Sequence, residues 1–129
     1  MNILGTTPGK EQPGNPDYFN GHVTLRPLGT AEDDLGATKL IRVEFAPQAR
    51  TNWHTHTGVQ LLVVLEGFCR FQHWGGPVEE VGPGTTIYIP AGEKHWHGAA
   101  PDRPMAHLAI NLDLETSWLE EVSDEQYAP

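Results

Sequence analysis

Short runs of alternating apolar and polar residues, separated by glycine and proline, make up most of this chain. Fourteen Gly and eleven Pro interrupt runs rich in β-branched and aromatic residues, and no long stretch carries a helical period. The pattern predicts an all-β barrel or sandwich. The expected strands are 22–28, 39–45, 51–56, 60–66, 68–74, 78–81, 85–89, 93–98 and 105–112.

The two ends of the chain differ from this strand-rich centre. Residues 1–20 contain three Gly and three Pro and predict an irregular arm that could wrap a partner subunit. At the other end, Ser117 can cap a helix while Glu120 returns the bond, and Trp118 and Val122 would share one face of that helix. We therefore expect a short helix packed on the barrel near the C-terminus.

Length and composition fit one compact domain. With 129 residues, 38% hydrophobic and 19% charged, we expect a single domain over 1–129, with the arm at 1–20, the barrel at 21–113 and the helical tail at 114–129. The formal net charge of −9 and the eight scattered Lys and Arg residues argue against a nucleic-acid partner, because such a surface needs clustered basic residues.

The single cysteine, the apolar runs and the N-terminus bear on where the protein is located. Cys69 is the only cysteine, so no intrachain disulfide can form, and we expect it to be a buried strand residue. The longest apolar run, Leu61 to Leu65, is too short to span a bilayer, and no basic start precedes an apolar run at the N-terminus. These features predict a cytoplasmic protein with no membrane partner.

Two pairs of histidines have the spacing of one metal site. Successive side chains of a strand point to opposite faces, so His54 and His56 share one face, and His95 and His97 share another. Two strands can therefore direct four imidazoles to one point, and Gln60 follows closely enough to add an amide oxygen. The pattern predicts metal ligation by His54, His56, Gln60 and His95.

The predicted ligands also limit the metal. Neutral imidazoles and an amide oxygen suit borderline divalent ions such as Mn, Fe, Co, Ni, Cu or Zn, whereas calcium and magnesium prefer more oxygen. No predicted ligand carries a charge, so the protein would cancel none of the ion's double positive charge. Such a site is a strong Lewis acid that holds anions, which favours polar chemistry over oxygen activation.

Three further residues are candidates for catalysis. His97 shares the face of His95, and a further ligand, a partner to a ligand and a proton carrier are equally open roles for it. His107 shares its strand face with Ala109, and it is either a core histidine bonded to a carbonyl or an acid-base group. Thr51 could hydrogen-bond a substrate oxygen or only a neighbouring backbone group.

Two runs resemble the motifs of the cupin superfamily. The first contains His54, His56, Gln60 and Gly67, and the second contains Gly84, Pro90, Gly92 and His95. Gln60 stands where the family usually has Glu, and this is the only departure that touches the chemistry. The resemblance implies a small antiparallel jelly-roll β-barrel, often dimeric through exchanged N-terminal strands.

A closer resemblance covers most of residues 17–127. Four runs are similar to the bacterial manganese-dependent cupin hydroxynitrile lyases: Ala49-Arg50-Thr51, Trp53-His54-Thr55-His56, Gly92-Glu93-Lys94-His95-Trp96-His97-Gly98-Ala99-Ala100 and His107-Leu108-Ala109-Ile110. This resemblance implies Mn²⁺ on His54, His56, Gln60 and His95, with Thr51, His97 and His107 around the substrate. Asn111 departs from that family near the pocket and leaves the substrate specificity open.

The resemblance implies cleavage or formation of a cyanohydrin such as mandelonitrile, giving an aldehyde and hydrogen cyanide, by Lewis-acid and histidine acid-base catalysis. The expected partners are a small-molecule substrate and a second or fourth copy of the chain, as a homodimer or homotetramer. The alternatives are a metal-dependent dioxygenase, decarboxylase or sugar-acid isomerase, and a cupin that binds a small ligand without turning it over, because fold does not fix function.

Overall fold

The computed structural model describes residues 1–129 and contains thirteen strands and one short helix. In chain order these elements are β1 (Gln12–Pro13), β2 (Phe19–Asn20), β3 (Val23–Asp33), β4 (Gly36–Phe45), β5 (Arg50–Thr51), β6 (His54–His56), β7 (Val59–Glu66), β8 (Cys69–His73), β9 (Glu79–Val81), β10 (Thr86–Ile89), β11 (His95–Ala99), β12 (Met105–Leu112), β13 (Thr116–Trp118) and α1 (Asp124–Tyr127).

The strands form two antiparallel sheets. One has six strands in the order β1-β3-β4-β12-β7-β10. The other has seven, in which β13-β6-β11-β5-β2 form the main path while β8 pairs with β11 and β9 pairs with β8. The prediction of a small antiparallel all-β barrel is confirmed. No helix in the structure is long and apolar enough to cross a membrane.

The core lies between the inner faces of the two sheets. In β7 every second side chain is buried, so that Gln60, Leu62 and Val64 point inward while the residues between them stay half-buried. The largest core cluster combines residues of both sheets, with Val64 and Phe45 from one and Cys69 from the other. The period-two pattern thus places these inward-facing side chains in a core between the two sheets.

Three strand predictions differ from the structure. The predicted strands 22–28 and 39–45 extend into one long hairpin, β3 and β4, which ends at Asp33 and Gly36. The predicted strand 51–56 is divided into β5 and β6, because Asn52 and Trp53 bond outside the sheet ladder. The amide of Asn52 donates to Tyr18 O, and that of Trp53 donates to Glu120 O.

The predicted helix capped by Ser117 is wrong. Residues 116–118 form β13, which pairs with β6 so that Trp118 lies opposite His54. The helix begins after Ser123, whose side chain accepts from the Gln126 amide while the Gln126 side chain accepts from the Ser123 amide. Both segments carry a capping signature, and the free edge of β6 decides which one becomes helical.

The C-terminal segment covers the outer side of the strands that carry the histidines. Trp53 and Trp96 alternate with histidines and face away from them, and they form a buried cluster with Val122 and Tyr127. The Tyr127 hydroxyl donates to Ala99 O at 2.6 Å. The two tryptophans are therefore packing residues, and their cluster supports β11 on the face opposite to the histidines.

The N-terminal arm contains only two short strands, both paired within the same chain. Gln12–Pro13 pairs with β3, and Phe19–Asn20 pairs with β5. Residues 1–11 contain no helix or strand and are mostly exposed. The arm is irregular as predicted, and wrapping of a partner subunit remains a prediction.

Candidate functional site

A cavity of about 180 Å³ lies between the sheets and is named cavity A here. Its lining includes Ile41, Val43 and Phe45 on β4, which share one strand face and form an apolar wall. It also contains most of the candidate chemistry: Thr51, His54, His56, Gln60, His97, His107, Ala109 and Asn111. No Asp or Glu lines this cavity.

Three of the predicted ligands lie side by side. His54 and His95 are paired opposite each other in neighbouring strands, with ring centroids 4.2 Å apart. The His56 ring is 5.0 Å from each of the other two. Strand pairing between β6 and β11 therefore brings together histidines that are separated by about forty residues in the sequence.

Backbone carbonyls fix the tautomers of two of these histidines. Nδ1 of His54 lies 2.8 Å from Asn52 O, and Nδ1 of His95 lies 2.8 Å from Glu93 O. A carbonyl oxygen only accepts, so each Nδ1 carries the proton and each Nε2 keeps its lone pair. Nε2 of His95 is buried without a hydrogen-bond partner. This is the arrangement that a metal-binding imidazole requires.

A hydrogen bond also fixes the orientation of the Gln60 side chain. Its Nε2 donates to Asn111 Oδ1 at 2.7 Å, across the register pair that joins β7 and β12. Its Oε1 is left buried and without a partner, as is Nδ1 of His56. Buried polar atoms are usually hydrogen-bonded, so these unpartnered atoms fit an electron-poor ligand such as a metal ion. The donor set fits a borderline divalent ion.

The tightest group of donor atoms also includes His97. Ring nitrogens of His54, His95 and His97 all lie within 4.8 Å of one another, and this compact group could hold a metal ion. It contains two of the four predicted ligands. The structure thus includes His97 in the group that could hold a metal ion, while His56 lies outside that group and lines cavity A with Gln60.

His97 and His107 form a buried pair. Nε2 of His107 lies 3.1 Å from Nδ1 of His97, and Nδ1 of His107 has no partner. The Phe45 ring packs on both, at 5.9 Å and 5.4 Å between centroids. The ring contact of His107 at hydrogen-bond distance is to His97, and both roles left open by the sequence, a core histidine and an acid-base group, stay predictions. The pair lines cavity A.

Thr51 joins this group through its hydroxyl. Its Oγ1 accepts from the His97 backbone amide at 3.3 Å. The same oxygen is 3.4 Å from Nδ1 of His54, but that nitrogen already donates to Asn52 O and cannot accept. The Thr51 hydroxyl proton therefore has no acceptor within the protein and is free to donate to a molecule in cavity A.

All five histidines are neutral near pH 7. Burial is the main cause, because it penalises the charged imidazolium, and it lowers the pKa of His95 and lowers the pKa values of His54 and His97 well below 6.5. Burial also lowers the pKa of His56 to about 4, and that of His107 to about 4. The site therefore brings no charge of its own.

The sequence did not identify Trp118 as a site residue, and it placed Asn111 near the pocket without revealing its contact. Trp118 lines cavity A, with its ring 4.7 Å from His54 and stacked at 4.8 Å on Tyr18. Its assignment to a helix removed it from consideration, although Thr116 and Trp118 favour strands. Asn111 was placed on the His107 face, but its bond to Gln60 depends on the register of β7 against β12, which no local pattern reveals.

Comparison with known families matches residues 41–111 to the Cupin domain, which is more than half of the chain. The chain belongs to the cupin family. This cupin is 47% identical over 120 residues to an (R)-mandelonitrile lyase of Granulicella tundricola, an alignment that covers 88% of each protein. The resemblance seen in the sequence motifs is thereby confirmed.

Solved cupin structures give the same fold. A cupin-like protein from Thermotoga maritima superposes with a TM-score of 0.84 at 37% identity, covering 89% of both chains. The polyketide cyclase RemF from Streptomyces resistomycificus superposes with a TM-score of 0.64 at 30% identity, covering 81% of this cupin and 75% of that chain.

Proposed function

We propose that this cupin is a metal-dependent hydroxynitrile lyase that cleaves a cyanohydrin such as mandelonitrile to an aldehyde and hydrogen cyanide, or forms it in reverse. The observation that carries the proposal is the set of buried, unpartnered donor atoms on His56, Gln60 and His95 beside the His97–His107 pair. The 47% identity to a mandelonitrile lyase supports the same reaction class.

The proposed ligands are His54, His56, Gln60 and His95, whose free nitrogens and amide oxygen face one region. We propose Mn²⁺, and Fe, Co, Ni, Cu or Zn also suit this donor set. When bound, the ion supplies Lewis acidity that stabilises negative charge on oxygen or on cyanide. The neutral side chains leave that positive charge uncancelled.

The side chains of cavity A would position the substrate. The Thr51 hydroxyl, whose proton has no acceptor in the protein, would donate to the substrate oxygen. Val43, Phe45 and Trp118 offer an apolar wall suited to an aromatic ring, and they exclude water from the reacting atoms.

The proposed proton carrier is the His97–His107 pair. In the arrangement where Nδ1 of His97 donates to Nε2 of His107, Nε2 of His97 is left as a base. This base takes the hydroxyl proton of the cyanohydrin, the carbonyl bond forms, and the carbon–carbon bond breaks with its electron pair leaving on cyanide. The protonated pair then returns the proton to cyanide, which leaves as neutral hydrogen cyanide.

The first experiment measures benzaldehyde release from mandelonitrile by the manganese-reconstituted protein, beside a His54→Ala control that keeps the fold and loses the metal. Release that depends on manganese and on His54 is expected. If the wild-type protein holds manganese yet releases no more benzaldehyde than the control, the lyase proposal fails. Oxygen uptake with candidate substrates would then test the dioxygenase alternative.

A second experiment separates His56 from His97 as ligands. Loss of His56 in His56→Ala should lower the metal content, whereas His97→Ala should keep the metal and lose turnover, because its Nδ1 is engaged with His107. Metal analysis of both purified variants decides this. Metal loss in His97→Ala with retention in His56→Ala would make His97 the ligand.

We also propose that this cupin forms a homodimer through the outer face of its six-stranded sheet. Leu40, Ile110, Leu61 and Tyr88 follow one another in register across four strands on that face, and Tyr88 is 62% exposed. An apolar row of this kind is unusual on a surface open to water. Sedimentation should show a dimer that Tyr88→Glu weakens, and a wild-type monomer would contradict the proposal.

A further inference from the structure

The four histidines His54, His56, His95 and His97 are called the histidine cluster. A second cavity, of about 190 Å³, lies on the side of this cluster opposite to cavity A and is named cavity B. Its inner wall is largely apolar, with Leu62, Phe71, Ile87 and Ile89 from the two sheets. Nothing in the proposed mechanism uses this space.

Cavity B exists because the barrel is not closed on this side. Strand β10 ends the six-stranded sheet and β9 ends the other, and neither has a partner beyond it. The gap between these two edges runs from the exposed Tyr88 and Glu79 inward to the core. A cupin of this topology therefore has an opening that is separate from cavity A.

The histidine cluster is the wall between the two cavities. His54, His56 and Gln60 line cavity A, His95 lines cavity B, and His97 lines both. The rings of His54 and His95 are 4.2 Å apart, so the partition is one layer of side chains thick. A molecule in cavity B can thus approach His95 and His97 from the side opposite to cavity A.

We propose that cavity B is a second passage to the histidine cluster, taken by a small neutral molecule while the larger reactant occupies cavity A. The identity of this small molecule rests on the proposed function, because cleavage of a cyanohydrin gives an aldehyde and hydrogen cyanide, two products of very different size. An aldehyde that fills cavity A blocks that route for hydrogen cyanide, and the opening at β9 and β10 offers another.

The chemistry of the passage favours neutral hydrogen cyanide over the cyanide anion. Its inner wall is largely apolar, and its lining also includes Gln72, His73 and the carboxylates of Glu79 and Glu93. Cyanide anion would meet both an apolar wall and like charge, whereas hydrogen cyanide meets neither penalty. The passage therefore matches the protonated product that the His97–His107 pair would release.

The first test does not depend on lyase activity. The protein is loaded with Fe²⁺, and the rate of nitric oxide binding is followed by stopped-flow absorbance of the iron nitrosyl. Ile87→Phe narrows cavity B and should slow binding several-fold, while Ile87→Ala should accelerate it. Leu25→Phe makes the same kind of change at a half-buried strand position lining cavity A and should leave the rate unchanged.

The outcomes separate clearly. If the nitric oxide binding rate is unchanged in both Ile87 variants and falls in Leu25→Phe, small molecules enter through cavity A, and the proposal is overturned. If Ile87→Phe does not fold, the direction of change in Ile87→Ala decides. Metal content and circular dichroism of each variant confirm that the binding site is intact.

The second test identifies the small molecule that uses cavity B. In the synthesis direction, Ile87→Phe should lower kcat/KM for cyanide several-fold and leave kcat/KM for benzaldehyde unchanged, with the opposite pattern in Leu25→Phe. Equal losses for both substrates overturn the assignment to hydrogen cyanide. If the wild-type protein makes no cyanohydrin, the proposed function and the hydrogen cyanide assignment both fail, and the nitric oxide rates alone decide whether the passage exists.

Discussion

Replacing Gln60 by Glu tests whether the neutrality of the site matters. The change keeps the shape of the side chain, and Asn111 can rotate its amide to donate to the new carboxylate, since it now accepts from Gln60 at 2.7 Å. It adds one negative charge to a group of histidines that burial keeps neutral. The variant should bind a divalent ion more tightly and turn over more slowly.

The size of the effect follows from the spacing of the site. The three histidine rings are 4.2 to 5.0 Å apart, and we take the same scale for the separation between the new carboxylate and the charge that develops on the substrate. At about 5 Å and an effective dielectric constant of about 20, two unit charges repel by about 3 kcal/mol. A barrier raised by that amount lowers kcat about a hundredfold.

The assay compares kcat for benzaldehyde release from mandelonitrile at equal manganese content, together with the manganese dissociation constant. Thr30→Glu adds the same charge at an exposed position of the β3–β4 hairpin and should change neither quantity. Full turnover by fully loaded Gln60→Glu would refute the reasoning, because it would show that the uncancelled charge of the ion is not needed. Weaker manganese binding would refute the electrostatic part separately.

Three further predictions concern stability and reactivity. Burial lowers the pKa of His107 to about 4 from 6.5, so the unfolded chain binds the proton first, and His107 alone should cost the metal-free fold about 3 kcal/mol as pH falls from about 6.5 to about 4, in addition to the losses at the other buried histidines; thermal melts should show this decline, and a shallower one in His107→Phe. Tyr127→Phe removes the 2.6 Å bond to Ala99 O and should cost about 1 to 2 kcal/mol in urea unfolding, whereas Tyr18→Phe, at an exposed ring, should cost nothing measurable. Burial raises the pKa of Cys69 to about 12, so an aromatic disulfide reagent should label it only in denaturant, and rapid labelling of the native protein would contradict its burial.

The period-two pattern was sufficient to predict the fold class and the shared faces of the histidines. Alternation places His54 with His56 and His95 with His97 whatever the tertiary structure. Register is different, because the pairing of His54 with His95 and of Asn111 with Gln60 depends on which strands become neighbours. Long-range pairing of this kind leaves no trace in a local window of sequence.

The error at the C-terminus has the same origin. Ser117 with Glu120 and Ser123 with Gln126 are equivalent capping signals, and a local reading cannot choose between them. The choice is made by β6, whose edge accepts Thr116–Trp118 as a strand and brings Trp118 over His54. Because that assignment was wrong, an aromatic wall of cavity A was missed.

The neutrality of the site follows from several independent features rather than from one residue. Gln60 supplies an oxygen without a charge, its partner Asn111 is also an amide, and the lining of cavity A contains no carboxylate. Burial holds the histidines in the uncharged form even before a metal binds. A carboxylate ligand would instead share charge with the ion and help higher oxidation states. The absence of any such group across the whole cavity favours a reaction in which negative charge moves onto oxygen and then onto a leaving anion, and cyanohydrin cleavage is a reaction of that kind.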